Sequence, residues 1–262
     1  MKRIDSHNHL HDARLRPHLA VILPTLDLQC AVVNGTNEHD WPAVAALAAK
    51  QPWVLPSFGL HPWHVTARSP HWLDELRRQL DAHPGAGVGE IGLDGWIEGH
   101  DLADQTAVFT AQLALAAERD LPVTIHCIQA WGALWKTIRS HPLPARGFLI
   151  HAYGGSMEMM REFAKRGARF SFSPYFLHER KAAQRSVFAA IPEDRLLVET
   201  DAPDLSPPDD RNPNPLFDET GAHLNHPANI EVAYAALAKI RGVGVEALAP
   251  IIVKNFSRLF GR

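Results

Sequence analysis

Eight short apolar segments alternate with helical patterns along the chain, and this alternation is the feature that most restricts its fold. Each segment has the Val, Ile, Leu or Phe content of a buried strand. Alternation of this kind is typical of a parallel (β/α)8 barrel or of an open doubly wound sheet. The segments are KRIDSHNHL, QCAVVNGT, WVLPSFGLHP, GAGVGEIGLD, LPVTIHC, RGFLIHAYGG, ARFSFSPYF and RLLVETDAP.

The end of the first segment separates these two folds. An open sheet usually carries a glycine-rich phosphate-binding motif after its first strand, but here the strand ends in histidines. We therefore predict a single α/β TIM barrel of eight parallel strands, with its active site at the carboxyl ends of the strands. The 262 residues suit one such barrel, so residues 1–262 are expected to form one domain.

The helical patterns and the one long irregular segment fit this arrangement. Ser69 and Ser156 are predicted to cap helices, and Gly167 to end one. The segment Ser206–Leu224 lacks periodicity and is predicted to be a loop on the catalytic face; a linker between domains is the alternative. The main helical patterns are SPHWLDELRRQLDAH, DLADQTAVFTAQLALAAERDL, SMEMMREFAKRG, PANIEVAYAALAKIRG and VEALAPIIVKNFSRLFG.

Polar residues that can bind metals lie within or at the ends of six of the predicted strands. In a barrel these ends meet on one face, so the side chains are expected to converge. Any one of them alone could be a hydrogen-bonded structural residue, but their joint occurrence indicates a metal site. The residues are His7, His9, His61, Glu90, His126, His151 and Asp201.

The chemistry of this set favours hydrolysis. Imidazole and carboxylate groups without a thiolate suit Zn, Mn, Fe or Ni rather than an iron–sulfur cluster. Four histidines and two carboxylates can hold two ions if one carboxylate bridges them. Two ions about 4 Å apart can activate a water and stabilise a leaving oxygen.

Composition excludes several classes of protein. The 26 basic and 29 acidic residues argue against a broad positive surface for nucleic acid, although a small basic groove is still allowed. Only Cys30 and Cys127 are present, so no disulfide framework is expected and a reducing compartment is favoured. The N-terminus lacks the apolar core of a signal peptide, and no stretch is apolar enough to span a membrane. We expect a soluble, cytoplasmic protein with no membrane association.

The ordered motifs HNH, GLHP, GEIGLD, IHC, HAYGGS, ETDAP and KNFSRLFG resemble those of the TatD-related family of metal-dependent hydrolases, within the amidohydrolase-like barrel group. The resemblance runs from Asp5 to Phe260. It implies two divalent ions, with zinc, magnesium, manganese, nickel and iron all compatible. It also implies a DNase or phosphodiesterase activity, with DNA or a small phosphoester as substrate. No obligate protein partner is predicted, and a monomer is expected.

The resemblance also implies roles for individual residues. His7, His9 and Asp201 would hold one ion, His126 and His151 the other, and Glu90 would bridge the two. Asp201 would accept a proton from the attacking water, so Asp201 and Glu90 are the predicted catalytic residues. The predicted substrate contacts are His61, His64 and Asn225.

Some positions depart from the family pattern and keep other substrates open. Ile128 and Leu224 stand where many members have arginine, and a phosphate usually requires Arg or Lys contacts. His226 replaces a glutamate, and Tyr153 replaces a phenylalanine. Hydrolysis of a carboxylic ester, lactone or amide on the same site is therefore the alternative, and a metal-binding scaffold without catalysis is a third hypothesis.

Four further residues near the strand ends have two interpretations each. Trp63, Trp96 and Trp131 follow predicted strand ends and could stack on bases or other flat groups, or could simply pack. His11 is two positions after His9 and would share a face with His7 and His9 in an extended strand, but it is predicted to lie past the end of the strand and outside the ligand set.

Overall fold

A computed structural model of the chain describes residues 2–99 and 101–262. Eight parallel strands form one sheet in chain order, and each pairs with the next, which confirms the predicted parallel barrel. The runs rich in Val, Ile, Leu and Phe become strands because they are buried on both faces. The strands are β1 Arg3–Asn8, β2 Leu28–Asn34, β3 Val54–Phe58, β4 Gly87–Asp94, β5 Val123–Ile128, β6 Phe148–Ile150, β7 Ala168–Phe172 and β8 Leu196–Val198.

The first and last strands meet where the barrel closes. The backbone N–H of Asp201 donates to the carbonyl of His7 at 3.0 Å, and the N–H of His9 donates to Ala202 at 2.7 Å. Below them the Thr200 hydroxyl donates to the buried Asp5 carboxylate at 2.6 Å. This closure brings residues that are almost 200 positions apart in sequence to one edge of the barrel.

Nine α-helices, counted over residues 2–99 and 101–262, accompany the strands. Two begin with clear caps: Asp101 accepts from the N–H groups of Ala103 and Asp104, and Ser156 accepts from Met159, as predicted for that serine. The helices are α1 Leu19–Ile22, α2 Trp41–Lys50, α3 Trp72–Ala82, α4 Leu102–Arg119, α5 Trp131–Ser140, α6 Met157–Lys165, α7 Ala182–Ala190, α8 Ile230–Arg241 and α9 Val245–Phe260.

Two details of the sequence prediction were wrong. The N-cap of α3 is His71 and not Ser69: the Ser69 hydroxyl accepts from the His71 N–H at 3.2 Å and donates to Glu38 at 2.6 Å, so it holds the turn that precedes the helix. The segment Ser206–Leu224 is not wholly irregular, since Pro215–Phe217 (β9) pairs antiparallel with His223–Asn225 (β10). The turn between these strands is held by Asp218, which accepts from three donors of Thr220 and Ala222.

Strands β4 and β5 approach closely at Gly92. Its φ is +148°, and a Cβ there would lie 2.0 Å from the carbonyl oxygen of His126, its partner in register. Only glycine allows this approach. The approach also sets Glu90 beside His126, which is how this part of the fold positions the polar site described below.

Both thiols are buried in the barrel. Burial raises the pKa of Cys30 to about 11 and that of Cys127 to about 12. Because the thiolate is the reactive form, we expect neither cysteine to react with Ellman's reagent in the native protein at mildly alkaline pH, and both to react after unfolding. Rapid release of chromophore from native protein would contradict this placement.

Among the described residues, no helix combines the length and the apolar character needed to cross a membrane. The predicted boundary of one domain over residues 1–262 stays a prediction, with Met1 and His100 outside the described residues.

Candidate metal centre

The Glu90 carboxylate lies between two pairs of histidines. Its Oε1 atom is 3.0 Å from His126 Nδ1 and 2.8 Å from His151 Nε2. Its Oε2 atom is 3.1 Å from His9 Nε2 and 3.5 Å from His7 Nε2. Each carboxylate oxygen therefore faces one histidine pair, which is the arrangement needed for a carboxylate that bridges two ions.

Asp201 completes the set on the side of His7 and His9. Its Oδ1 atom lies 3.1 Å from His7 Nε2 and 3.5 Å from His9 Nε2. The residue adopts a left-handed backbone conformation with φ +57°, which turns the chain sharply after β8. Three groups of three residues have ligand atoms within 4.8 Å of one another: His7–His9–Asp201, His7–Glu90–His151 and His61–Glu90–His126.

The six side chains are buried together. None of the six residues exposes more than 8% of its whole surface, and none of their side chains more than 11%. Burial by itself would raise the pKa of Glu90, but His151, His61 and His7 lower it well below its usual range. Burial would likewise raise the pKa of Asp201, but hydrogen bonds from His7 and His9 outweigh it, so that this pKa is also lowered. Both carboxylates are therefore ionised, as metal ligation requires.

Two of the histidines have their outward nitrogen hydrogen-bonded, and a third has a carboxylate nearby. His9 Nδ1 lies 2.7 Å from the carbonyl of Asn34, and His126 Nε2 lies 2.9 Å from Asp94 Oδ2. His151 Nδ1 is buried and makes no hydrogen bond among the described residues, but Glu199 Oε1 lies 3.5 Å away, where its charge favours a proton on this nitrogen. A proton on each outward nitrogen leaves the inward nitrogen with a free lone pair, which is the tautomer of a metal-ligating imidazole.

His7 fits the same pattern once the Asn34 amide is considered. The Asn34 Nδ2 atom lies 3.0 Å from His7 Nδ1, while Asn34 Oδ1 is buried and has no hydrogen-bond partner among the described residues. The oxygen and nitrogen of such an amide are assigned from the hydrogen-bond network. Exchanging them lets Oδ1 accept from His7 Nδ1–H and leaves Nε2 free to bind an ion. The Asn34 Oδ1 atom without a partner thus supports a metal ion at His7 Nε2.

His61 differs from the other four. Its Nδ1 atom accepts from the backbone N–H of Trp63 at 3.2 Å, so in the neutral ring the proton is on Nε2. Burial is the main cause that lowers the pKa of His61 to about 4, which keeps the ring neutral. Nε2 lies 3.4 Å from Glu90 Oε1 and can only donate there. This geometry suits the predicted contact with substrate and disfavours metal ligation.

The other two predicted substrate contacts have different surroundings. His64 is half-buried, with its ring centroid 6.4 Å from that of His61. Asn225 is fully buried: its Nδ2 donates to Thr200 O at 2.7 Å, and its Oδ1 accepts from Asn229. The Asn225 side chain therefore anchors the loop after β8, and a direct contact with substrate stays a prediction.

Two carboxylates beside the centre were not selected from the sequence. Asp94 contacts His126, and Glu199 accepts from Ala152 N at 2.8 Å and from the Ser171 hydroxyl. The sequence could have indicated both: an even number of positions separates Asp94 from Glu90 and Glu199 from Asp201, so in an extended strand each pair would point to the same face. His11, in contrast, pairs with Asp40 at 3.3 Å; its ring lies edge-on to that of His9, with the centroids 5.9 Å apart, but it belongs to none of the three groups of ligand atoms, as expected for a residue outside the set.

Comparison with known protein families shows to which of them this chain is related. The family model described as "TatD related DNase" matches residues 4–261. The chain belongs to this family. Family membership makes the protein a metal-dependent hydrolase, in agreement with the resemblance seen in the motifs.

Several characterised and uncharacterised TatD-family proteins are similar over most of their length. The 3'-5' ssDNA/RNA exonuclease TatD of Pantoea ananatis is 32% identical over 88% of this chain and 87% of its own. The uncharacterized metal-dependent hydrolase YjjV of Escherichia coli is 29% identical over 87% and 85%. The crystal structure of YjjV matches with a TM-score of 0.89 at 26% identity, covering 99% of this chain and 98% of that one.

Positions that depart from the TatD-family motifs lie in distinct places. Ile128 is 38% exposed at the end of β5, whereas Leu224 is buried in β10. His226 Nδ1 accepts from Ala228 N at 3.0 Å and begins a helical turn. Tyr153 is buried, with its hydroxyl donating to Ser156 O at 2.9 Å. Of these four, Ile128 is the most exposed, His226 is half-buried, and Leu224 and Tyr153 are buried.

Proposed function

We propose that this TatD-family protein hydrolyses phosphodiester bonds of single-stranded nucleic acid with two divalent ions. The observation that carries the proposal is the position of Glu90, with one carboxylate oxygen toward each of two histidine pairs. The activity of the exonuclease relatives, which cover most of this chain, supports the substrate class.

We assign the ligands as the family pattern implies. His7, His9 and Asp201 would hold one ion, His126 and His151 the other, and Glu90 would bridge. Two bound ions would activate a water and stabilise the charge on the leaving oxygen. The identity of the ions stays open among zinc, magnesium, manganese, nickel and iron, because imidazole and carboxylate accept all of them.

The residues of the chain then handle the proton and the phosphate. Asp201 keeps Oδ1 toward His7 and His9, and its carboxylate accepts the proton of the attacking water. A P–O bond to that water forms as the bond to the leaving nucleotide breaks, and Asp201 returns the proton to the leaving oxygen. His61 Nε2–H donates to a phosphate oxygen, in keeping with its neutral ring.

Hydrolysis of a carboxylic ester, lactone or amide is the second candidate. The exposed Ile128 favours it, because this position offers a phosphate no cation. The same buried centre could act on a carbonyl carbon without any change of ligands. A metal-binding scaffold without catalysis is disfavoured by membership of a hydrolase family.

One substrate comparison separates the two candidates. Metal-stripped protein, restored with Mg²⁺, Mn²⁺ or Zn²⁺, is incubated with single-stranded DNA labelled at either end, the matching duplex, and a panel of aryl esters and lactones. The nuclease proposal expects metal-dependent release of mononucleotides from single strands. Turnover of esters or lactones alone, from protein that has bound its ions, would contradict it.

We also propose a cytoplasmic location, which two free, buried cysteines support because disulfides are rare in reducing compartments. A monomer without an obligate protein partner stays a prediction.

A further inference from the structure

Trp63 presents an exposed aromatic ring beside the metal centre. It lies in the 3-10 helix Pro62–Ala67 that follows β3 and is 48% exposed. Its indole N–H donates to Asp94 Oδ2 at 2.8 Å. Since the only polar group of the side chain is satisfied inside the protein, the exposed part is the apolar ring.

The neighbouring rings leave the indole uncovered. The ring centroids of His61 and His126 lie 4.9 Å and 6.2 Å away, at interplanar angles of 82° and 72°. Neither ring is stacked parallel on the indole, and with 48% of the Trp63 surface exposed, part of its ring is open to a ligand. A planar group bound next to the metal centre can therefore stack on Trp63.

Asp94 fixes the indole and a metal ligand with the same atom. Its Oδ2 accepts from Trp63 and lies 2.9 Å from His126 Nε2. Its Oδ1 accepts from the backbone N–H groups of Trp96 and Ile97 at 2.8 and 3.1 Å. The carboxylate is buried and joins three parts of the site: the turn after β3, the loop after β4, and His126 on β5.

The surface around Trp63 is mixed, because the shallow pocket beside it is lined by Pro62, Val65 and Ile97 and also by the acidic Glu98, Asp101 and Asp104. Trp96, which follows β4, is 65% exposed. Ile128 pairs in register with Asp94 and is 38% exposed, at a position where many TatD proteins have arginine. Trp63 combines an exposed apolar ring with a fixed position beside the buried ionic centre. It suits a ligand with one charged group and one flat apolar group.

Trp131 does not belong to this rim. It is partly buried and its ring contacts that of Tyr153, with the centroids 5.1 Å apart at 68°. Its packing role is the simpler of the two interpretations that the sequence allowed.

We propose that Trp63 is a stacking subsite for the nucleobase next to the scissile phosphate, and that Asp94 is the positioning residue that holds both the indole and His126. This rests on the proposed nuclease function for the identity of the flat group. Stacking accepts every base, so the subsite would bind single strands without sequence preference. A duplex end would be disfavoured, because its terminal base is already stacked and paired.

Paired substrates test the stacking subsite. Two single-stranded oligonucleotides differ only in the terminal residue, which is either an ordinary nucleotide or an abasic one. Wild-type kcat/KM is expected to favour the ordinary end by about tenfold, chiefly through KM. Trp63→Phe keeps a ring and most of this preference, whereas Trp63→Leu removes it. Equal preference in the wild type and Trp63→Leu would overturn the subsite.

A binding experiment gives a readout that does not depend on turnover. Tryptophan fluorescence of the magnesium-loaded protein is followed while adenosine monophosphate or ribose 5-phosphate is added. We expect quenching by the nucleotide only, and loss of that quenching in Trp63→Phe. Trp135→Phe is the matched control, because Trp135 packs on Phe163 away from the site. Unchanged quenching in Trp63→Phe would overturn the proposal, even if no nuclease activity were found.

Asp94→Asn tests the positioning role. Removing a carboxylate behind a ligating imidazole costs about 10- to 100-fold in metal affinity or activity. We expect the dissociation constant of one ion to rise by about tenfold while the other changes little, and circular dichroism to show a folded protein. Asp204→Asn, on the exposed loop after β8, is the control. Unchanged metal affinity in Asp94→Asn would contradict the role.

Discussion

Replacing Asp201 by asparagine is expected to lower kcat about a thousandfold while leaving the fold intact. The amide cannot accept the proton of the attacking water, and it is a weaker ligand beside His7 and His9. The backbone should not suffer, because asparagine tolerates the left-handed conformation at φ +57°. The N–H group that donates to His7 O is also kept.

Steady-state cleavage of labelled single-stranded DNA checks this expectation, with circular dichroism to confirm folding. Asp204→Asn is the matched control, because Asp204 follows on the same loop but pairs with Arg14 at the surface. The control should retain full activity. An Asp201→Asn variant as active as the control would remove Asp201 from the mechanism.

The second large effect concerns stability. Gly92→Ala is expected to destabilise the protein by at least about 4 kcal/mol, or to prevent folding. Its Cβ would lie 2.0 Å from His126 O and 2.9 Å from His126 N, both backbone atoms of the next strand. Relief would require β4 and β5 to separate, which would also move Glu90 from His126.

Gly85→Ala is the control variant, because it carries the cost of a side chain at positive φ without the clash. Gly85 has φ +88°, and no atom lies within 4 Å of the position that a Cβ would take, so only the backbone strain of roughly 1–2 kcal/mol applies. Urea unfolding of both variants gives the comparison. Similar unfolding free energies for the two would mean that the approach of β4 to β5 is not as tight as described.

Much of this architecture could be predicted because the relevant signals are local in sequence. The eight strands follow from short apolar runs, and their parallel order follows from the helices between them. The convergence of His7, Glu90, His126 and Asp201 follows from a general property of barrels, whose strand ends share one face. This convergence does not depend on any individual side-chain contact.

Other features depend on contacts that local patterns do not encode. Ser69 has the residue type of a helix cap, but it lies in the turn before α3, where its backbone N–H and its hydroxyl both donate to Glu38, 31 residues away in sequence. The β9–β10 hairpin is short and lies among prolines and asparagines, so no periodicity indicates it. The tautomer of His61 is determined by one backbone N–H and separates it from the ligand histidines. The contacts of Asp94 could not be predicted from the sequence either, since only the structure places one of its carboxylate oxygens between Trp63 and His126.

The most direct test of the metal centre is the number of ions that one chain binds. Native mass spectrometry of metal-stripped protein titrated with Mn²⁺ counts them without reference to any substrate. We predict two ions for the wild type and one for His151→Ala, which leaves His7, His9 and Asp201 in place. A wild-type protein that takes up a single ion, or none, would contradict a binuclear centre bridged by Glu90.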